Sequence, residues 1–280
     1  MTLAQAIADA LPRLAPVSDA PRQDAELLLG RLLGFSRAQL FSRLETPIPP
    51  ATAAAFEVDL QRRARGEPVA YILGEWGFWT LILSVSPAVL VPRPETEVLV
   101  EWALQCLMPL STPRVADLGT GSGAIALALA SERSDIRMTG VDLCGDALAV
   151  ARGNGERLRL PVQWVQADFG EWLAAAPAHD LVVGNPPYIA ARDPHLPALR
   201  FEPAMALTDG HDGLNALRAI IAAAPAALKP GGWLLLEHGY DQAEPVQKLL
   251  RDAGFIDVET RHDLGDQPRA SGGRWAGAGR

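Results

Sequence analysis

Cysteine is scarce in this chain: Cys106 and Cys144 are the only two among 280 residues, and they form no CxxC pair. That spacing excludes a disulfide framework and a thiolate metal cluster, and a reducing, cytoplasmic setting is expected. The five histidines are scattered without paired ligand spacing, so no metal is expected. Long apolar runs are missing as well. The richest, Ala219 to Leu228, is short and holds Pro225, so no membrane-spanning helix and no membrane partner are expected. The amino terminus has no basic segment leading into an apolar core, so no secretory signal is expected. No internal repeat occurs.

What is present is ordinary for a folded soluble chain. Hydrophobic residues make up 49% and charged residues 21%, a balance that argues against disorder. The length suits one large or two modest domains with a sizeable core. The net charge is −8, unevenly spread: residues 1–66 carry 8 Lys+Arg against 7 Asp+Glu, leaving 17 against 26 for the rest. An acidic main portion repels a phosphate backbone, so nucleic acid is not the favoured partner.

The first part is helical in pattern. Leu3, Ile7 and Leu11 share one helical face, and Pro12 is expected to end that turn. Pro21 suits a first helical position, Leu28 and Leu32 continue an apolar stripe, and Gly34 reads as a stop. Ser36 suits the cap of a short helix through Leu44, and a longer helix is expected from about Ala51 to Arg65, ended by Gly66. From Trp76 to Val91, Phe78, Trp79, Leu81, Ile82, Leu83, Val85 and Val89 make two β-prone runs around Ser84 and Pro87, which predicts a hairpin. From Arg93 onward strands alternate with helices, which indicates a doubly wound, mostly parallel α/β sheet. Its later members are Trp233–Glu237, a helix from Gln242 to Asp252, and Phe255–Glu259. The Gly/Ala-rich stretch from Ser271 is expected to be a last edge strand with a frayed end. The expected division is thus 1–75 helical, 76–92 hairpin linker and 93–280 α/β.

Three strand ends in the α/β part carry chemistry. Arg114 to Leu118 reads as a buried strand, followed by Gly119, Thr120, Gly121, Ser122 and Gly123 and then the helix-forming run Ala124 to Ala130. Strand, glycine turn and helix together let a ligand approach backbone N–H groups. The spacing G-x-G-x-G is neither the dinucleotide fingerprint nor a Walker loop, which needs Gly-Lys-Ser/Thr. The next strand, Ile136 to Val141, ends in Asp142, placed to accept hydrogen bonds from ribose hydroxyls. A third, Val162 to Ala167, ends in Asp168 and Phe169, an acceptor beside an aromatic ring that suits an adenine. Helix capping is the alternative role for either aspartate.

A fourth run, Leu181 to Gly184, leads into Asn185-Pro186-Pro187-Tyr188. The two prolines lack N–H groups and hold the backbone extended. The Asn185 carbonyl, the Pro186 carbonyl and the Tyr188 ring suit a planar NH2 group, with two acceptors for its hydrogens and a face to stack on. An ordinary proline turn is the plainer reading.

At these residues the chain resembles the class I methyltransferases that use S-adenosylmethionine, and more closely the release-factor glutamine methyltransferase family. The resemblance runs through Gly66 to Gly74, Val91 to Glu97, Asp117 to Gly123, Asn185 to Tyr188, Asp193 to Leu196, Arg200 to Pro203 and Leu236 to Gly239. The glycine loop is common to many methyltransferases. Arg93-Pro94-Glu95-Thr96-Glu97, together with Asn185 to Tyr188 and Arg200 to Pro203, is far more specific. The resemblance implies a seven-stranded methyltransferase sheet with a small helical domain that recognises substrate. It implies S-adenosylmethionine at Gly119 to Gly123, Asp142, Asp168, Phe169 and Asn185. The acceptor is then the glutamine of the Gly-Gly-Gln motif in class 1 peptide chain release factors, gripped by Asn185, Pro186, Pro187 and Tyr188, with Asn185, Pro186 and Tyr188 catalytic. Arg93 to Glu97 are expected near the donor, and Glu202 is expected solvated at the substrate mouth. His195 and His238 are expected to be structural, without orienting partners. The chain departs from the family near Thr80, where a glycine is expected, and the connection from Leu196 to Arg200 is short.

Two other enzymatic readings share this chemistry: methylation of a ribosomal-protein glutamine, and methylation of an adenine amino group in nucleic acid, which needs a flipped base and a basic track. A non-catalytic adaptor that binds S-adenosylmethionine is a third class.

Overall fold

The computed structural model describes residues 1–277, which separate into two compact units, Met1–Trp76 and a second beginning at Gly77. The first unit is helical. It comprises α1 (Leu3–Leu14), α2 (Pro21–Leu33), α3 (Arg37–Phe41), α4 (Pro50–Ala64) and α5 (Val69–Leu73). Thr2 and Ser36 begin α1 and α3 with reciprocal capping boxes through Gln5 and Gln39. Gly34 ends α2 in the left-handed conformation that favours glycine. Pro12 does not end α1, contrary to expectation: the helix continues through it to Leu14, and Ala6, Ala10 and Leu14 join Leu3 and Ile7 on the buried face. α3 also stops at Phe41, short of Leu44. The unit has its own core, built on Leu3, Ile7, Leu28, Leu29, Phe56 and Leu60. The Asp24 carboxylate inside it accepts from Arg63 at 2.7 Å, pairing two charges that would each be costly to bury alone.

The hairpin strands β1 (Glu75–Phe78) and β2 (Leu81–Ser84) follow, and the boundary between the units falls within β1. The chain reverses at Trp79 and Thr80, not around Ser84 and Pro87 as the apolar runs suggested. Without a glycine there, Trp79 itself takes a positive φ of 56°. Its N–H is held at 2.8 Å by Glu97 Oε1 and its indole N–H at 2.7 Å by Glu132, contacts that fix a backbone most side chains avoid.

The elements then alternate: α6 (Glu97–Leu107), β3 (Arg114–Leu118), α7 (Ala124–Glu132), β4 (Arg137–Asp142), α8 (Gly145–Leu158), β5 (Val162–Gln166), α9 (Phe169–Ala175), β6 (His179–Gly184), α10 (Ala204–Leu207), α11 (Asn215–Ala227), β7 (Leu228–Glu237), α12 (Ala243–Asp252), β8 (Phe255–His262) and β9 (Pro268–Trp275). One seven-stranded sheet runs β5-β4-β3-β6-β7-β9-β8. All its neighbours pair parallel except those made by β9, which is antiparallel to both β7 and β8. Alternate side chains enter opposite layers, as strand geometry requires. Leu181, Val183 and Leu235 pack with α6 and α7, whereas Val182, Leu234 and Leu236 pack with α11 and α12. Burial on both faces explains the near-continuous apolar runs in β3, β6 and β7.

The stretch from Ser271 is not an edge strand. β9 lies inside the sheet, and β8 takes the edge. Ala270, Ser271, Gly272 and Gly273 are small because there is no room: a Cβ on Gly272 would stand 2.6 Å from the Leu234 carbonyl and 2.9 Å from the Trp102 ring. The expected frayed end lies outside the described residues. Among the described residues, no helix is long and apolar enough to cross a membrane, and no cluster of side chains is arranged to hold a metal ion.

Candidate active site

β3 and β6 are parallel neighbours with Leu118 opposite Gly184, so their carboxyl ends finish level. β3 leads by way of α7, β4 and α8 outward to β5, and β6 starts the other half of the sheet. The winding reverses between them. In open α/β sheets a crevice forms at such a point, beyond the strand ends. Here it is a cavity of about 530 Å³.

The glycine turn makes one wall. Gly119 and Gly121 take φ of 69° and 55°, and both line the cavity together with Thr120 and Ser122. Gly119 N–H and Thr120 N–H both donate to the Val141 carbonyl, at 2.8 and 3.0 Å, which pins the turn over β4. From below it is held by Asp117, which is fully buried. Asp117 Oδ2 accepts from the Thr120 hydroxyl at 2.6 Å and from Ala126 N–H at 3.2 Å, and Oδ1 has no partner among the described residues. Burial pushes this carboxyl up to about 7, against those two hydrogen bonds. Gly123 does not line the cavity. It starts α7 from behind the wall with a φ of 83°, and a Cβ there would meet Trp164 at 2.9 Å. It gives α7 no side-chain cap, and Ala124 and Ile125 of the opening turn do line the cavity.

Asp142 ends β4 at the rim. Its Oδ2 accepts from Gly121 N–H and its Oδ1 from Cys144 N–H, both at 2.9 Å. Burial raises its carboxyl above the usual range, opposed by these N–H groups. Asp168 and Phe169 also line the cavity. Asp168 Oδ1 caps α9, accepting from Gly170 and Glu171 N–H at 2.8 and 3.3 Å, so capping and cavity lining coexist in one carboxylate. The Phe169 ring stands 3.4 Å from where a Gly119 Cβ would be. A larger residue at 119 would fill the space against that ring.

Asn185 and Pro187 complete the opposite wall, whereas Pro186 and Tyr188 do not line the cavity. Tyr188 is half-buried, and its hydroxyl donates to Glu237 Oε1 at 3.0 Å. Burial raises that phenol well above its ordinary value, and the Glu237 charge pushes the same way. The ring expected to stack on a planar amide is therefore built into the support of the turn. Asn185 Nδ2 donates to the Thr96 hydroxyl at 3.2 Å.

Arg93 and Thr96 also border the cavity, beside the short helical turn Pro94–Thr96 that opens α6. Glu202 is not solvated. It is 7% exposed, accepts from Val91 N–H at 3.0 Å and pairs with the Arg93 guanidinium. This joins the Val91 to Glu97 and Arg200 to Pro203 segments into one wall, because a buried carboxylate must find donors. Both histidines have partners after all. His238 is buried, bonded to the Gly239 carbonyl at 2.8 Å and to Ser271 at 2.7 Å, while exposed His195 bonds Asp193 at 2.8 Å. Sequence reasoning gave Asp117 and Glu237 no role at the site; it expected Thr96 near the donor only as part of Arg93 to Glu97, and Glu202 solvated at the substrate mouth. Each lies within a segment of the family resemblance; Asp117 bonds to the adjoining Thr120 and Ala126, whereas the contacts of Thr96, Glu202 and Glu237 cross to distant segments.

The residues fit S-adenosylmethionine. A rim carboxylate, an aromatic ring, a glycine turn and a helix start whose Ala124 and Ile125 line the cavity suit a nucleoside with a charged amino-acid tail.

Residues 5–74 match the PrmC N-terminal domain family, and residues 96–200 match the methyltransferase small domain family. The release factor glutamine methyltransferase of Burkholderia pseudomallei (strain K96243) is 48% identical over 262 residues, spanning 91% of this chain and 92% of its own length. That of Xylella fastidiosa (strain Temecula1) is 49% identical over 264 residues, spanning 91% of this chain and 94% of its own. A methyltransferase structure from Pyrococcus furiosus covers 70% of this chain and 89% of its own with a TM-score of 0.50; at 16% identity the likeness is one of fold. With nearly half its residues shared across nine-tenths of its length, the chain belongs to the release factor glutamine methyltransferase family.

Proposed function

We propose that this protein methylates the side-chain amide nitrogen of the glutamine in the Gly-Gly-Gln motif of class 1 peptide chain release factors, in the cytoplasm, with S-adenosylmethionine as donor. The observation that carries the reading is the level meeting of two strand ends. The glycine turn after β3 and the Asn185 turn after β6 border one cavity. When bound, S-adenosylmethionine supplies an electrophilic methyl group.

Everything else is positioning by the chain. Asp142 receives ribose hydroxyls, Phe169 covers the adenine face, and Gly119 to Ser122 let the ligand lie against the backbone. Gly123 contributes from behind, by starting α7. A carboxamide nitrogen is a poor nucleophile, because its lone pair is delocalised into the carbonyl. The carbonyl of Asn185, which lines the cavity, accepts a hydrogen of the substrate NH2 and favours the positive charge that develops on nitrogen; Pro186, outside the lining, would serve as second acceptor only with the substrate seated deeper in the turn. Holding the nitrogen about 3–3.5 Å from the methyl carbon removes several kcal/mol of barrier. Pro186 and Pro187 keep the turn rigid, and Tyr188 anchors it through Glu237. The helical domain, Met1–Trp76, serves as the recognition surface for the release factor.

Asn185→Ala tests the reading. It is expected to lower turnover by roughly 10²–10³-fold while calorimetry still detects donor binding. Near-normal turnover in this variant would remove Asn185 from the acceptor site.

A further inference from the structure

The Asn185 side chain has two ends of similar shape and opposite chemistry. Its carbonyl accepts hydrogen bonds and its NH2 donates them. Only the carbonyl can serve a substrate NH2 group, so some feature of the protein must decide which end faces the cavity. A chain of hydroxyl contacts running back from Thr96 at the cavity edge makes that choice. Asn185 Nδ2 lies 3.2 Å from Thr96 Oγ1. The Glu237 carboxylate accepts at Oε1 from the Tyr188 hydroxyl at 3.0 Å, and the neighbouring Thr96 side chain favours its charged form. Glu237 is 1% exposed, Thr96 is 4% exposed, and Glu237 Oε2 has no partner among the described residues.

Proton counting fixes the direction. An ionised carboxylate only accepts, and a hydroxyl has one proton to give. With the Thr96 O–H turned toward the Glu237 carboxylate, its oxygen is left to accept from Asn185 Nδ2. The Asn185 NH2 must then point at Thr96, and its carbonyl must point away. In so dry a place a reversed hydrogen bond costs more than it would in water.

We propose that the Thr96 hydroxyl, oriented by Glu237, is a positioning group that sets the Asn185 side chain with its carbonyl oxygen toward the acceptor. The inference rests on the reading of Asn185 as the acceptor of the substrate amide.

Valine matches threonine in shape but lacks the hydroxyl, whereas serine keeps the hydroxyl and loses a methyl group. Turnover of the full-length protein on a release factor is measured for Thr96→Val, Thr96→Ala and Thr96→Ser, with donor affinity by calorimetry as the check on folding. Thr96→Val and Thr96→Ala are expected to lower kcat by roughly ten- to a hundredfold, with donor affinity and KM little changed. Thr96→Ser is expected to stay near the parent. Normal turnover in a folded Thr96→Val, or loss in Thr96→Ser with retention in Thr96→Val, would overturn the proposal, since that pattern reports packing alone. Asn185→Ala in the same series separates the two levels. If it is inactive while Thr96→Val is normal, only the relay falls; if Asn185→Ala turns over normally, the acceptor reading falls with it.

Discussion

Glu237 is a carboxylate placed where water does not reach, and its protonation state decides what Thr96 can do. Burial pushes its carboxyl up to about 7, against hydrogen bonds from Thr96 and Tyr188 and the Arg269 charge, while Glu95 adds to the rise. Arg269 is itself engaged by Asp263 at 3.1 Å. Below about 7 the protonated acid gains a donor, which frees Thr96 to turn its own proton toward the Asn185 carbonyl. The kcat profile is therefore expected to fall on the acid side of about 7. In Glu237→Gln, an uncharged side chain with its own NH2, that limb disappears and activity is low throughout. A limb of the same position in Glu237→Gln would assign it to another group. The sequence carried only half of this. Asn185, Asp142 and Phe169 stood out because each follows a short apolar run, where the polar residue marks a strand end. Glu237 did not, and Thr96 stood out only as part of Arg93 to Glu97, since their roles arise from contacts that cross the chain, such as that between Thr96 and Asn185, 89 positions apart.

The spacing between β3 and β6 sets the spacing of the two halves of the site. Gly184 is the last residue of β6, and a Cβ there would stand 2.7 Å from the Leu118 carbonyl and 3.3 Å from the Leu118 Cβ. Neither neighbour yields easily, because one is backbone in the middle of the sheet. Gly184→Ala is expected to destabilise the fold by about 1–3 kcal/mol, read by denaturant unfolding, and to lower turnover more than donor affinity. An alanine variant with unchanged stability would mean that these strand ends have slack. Neighbouring elements are tied with similar economy: Asn154 on α8 accepts from Ser84 N–H at 2.7 Å and donates to the Ser84 and Ser122 carbonyls, both at 3.0 Å. At this scale, periodicity revealed that strands and helices alternate, but not every place in the sheet. β9 was misjudged because its glycines resemble a loose tail. Their cause is crowding by Leu234 and Trp102 in an interior position, and crowding is set by neighbours that a local pattern does not contain.

For the whole molecule, the net charge of −8 and the uneven distribution of acidic groups oppose a nucleic-acid substrate. The helical domain has a core of its own. The Ser36 cap and the Gly34 stop were legible, whereas the Thr2 cap and the path of α1 through Pro12 were not. Proline near a helix end loses one hydrogen bond, and the buried face formed by Ala10 and Leu14 offsets that loss. The central claim is that a methyl donor and a glutamine amide share the cavity between the glycine turn and Asn185. Its most direct test offers the protein labelled S-adenosylmethionine together with a class 1 release factor, a ribosomal protein or DNA, each in a separate reaction. Label on the glutamine of the release factor's Gly-Gly-Gln segment is the predicted result; label on DNA or the ribosomal protein with none on the release factor would contradict it.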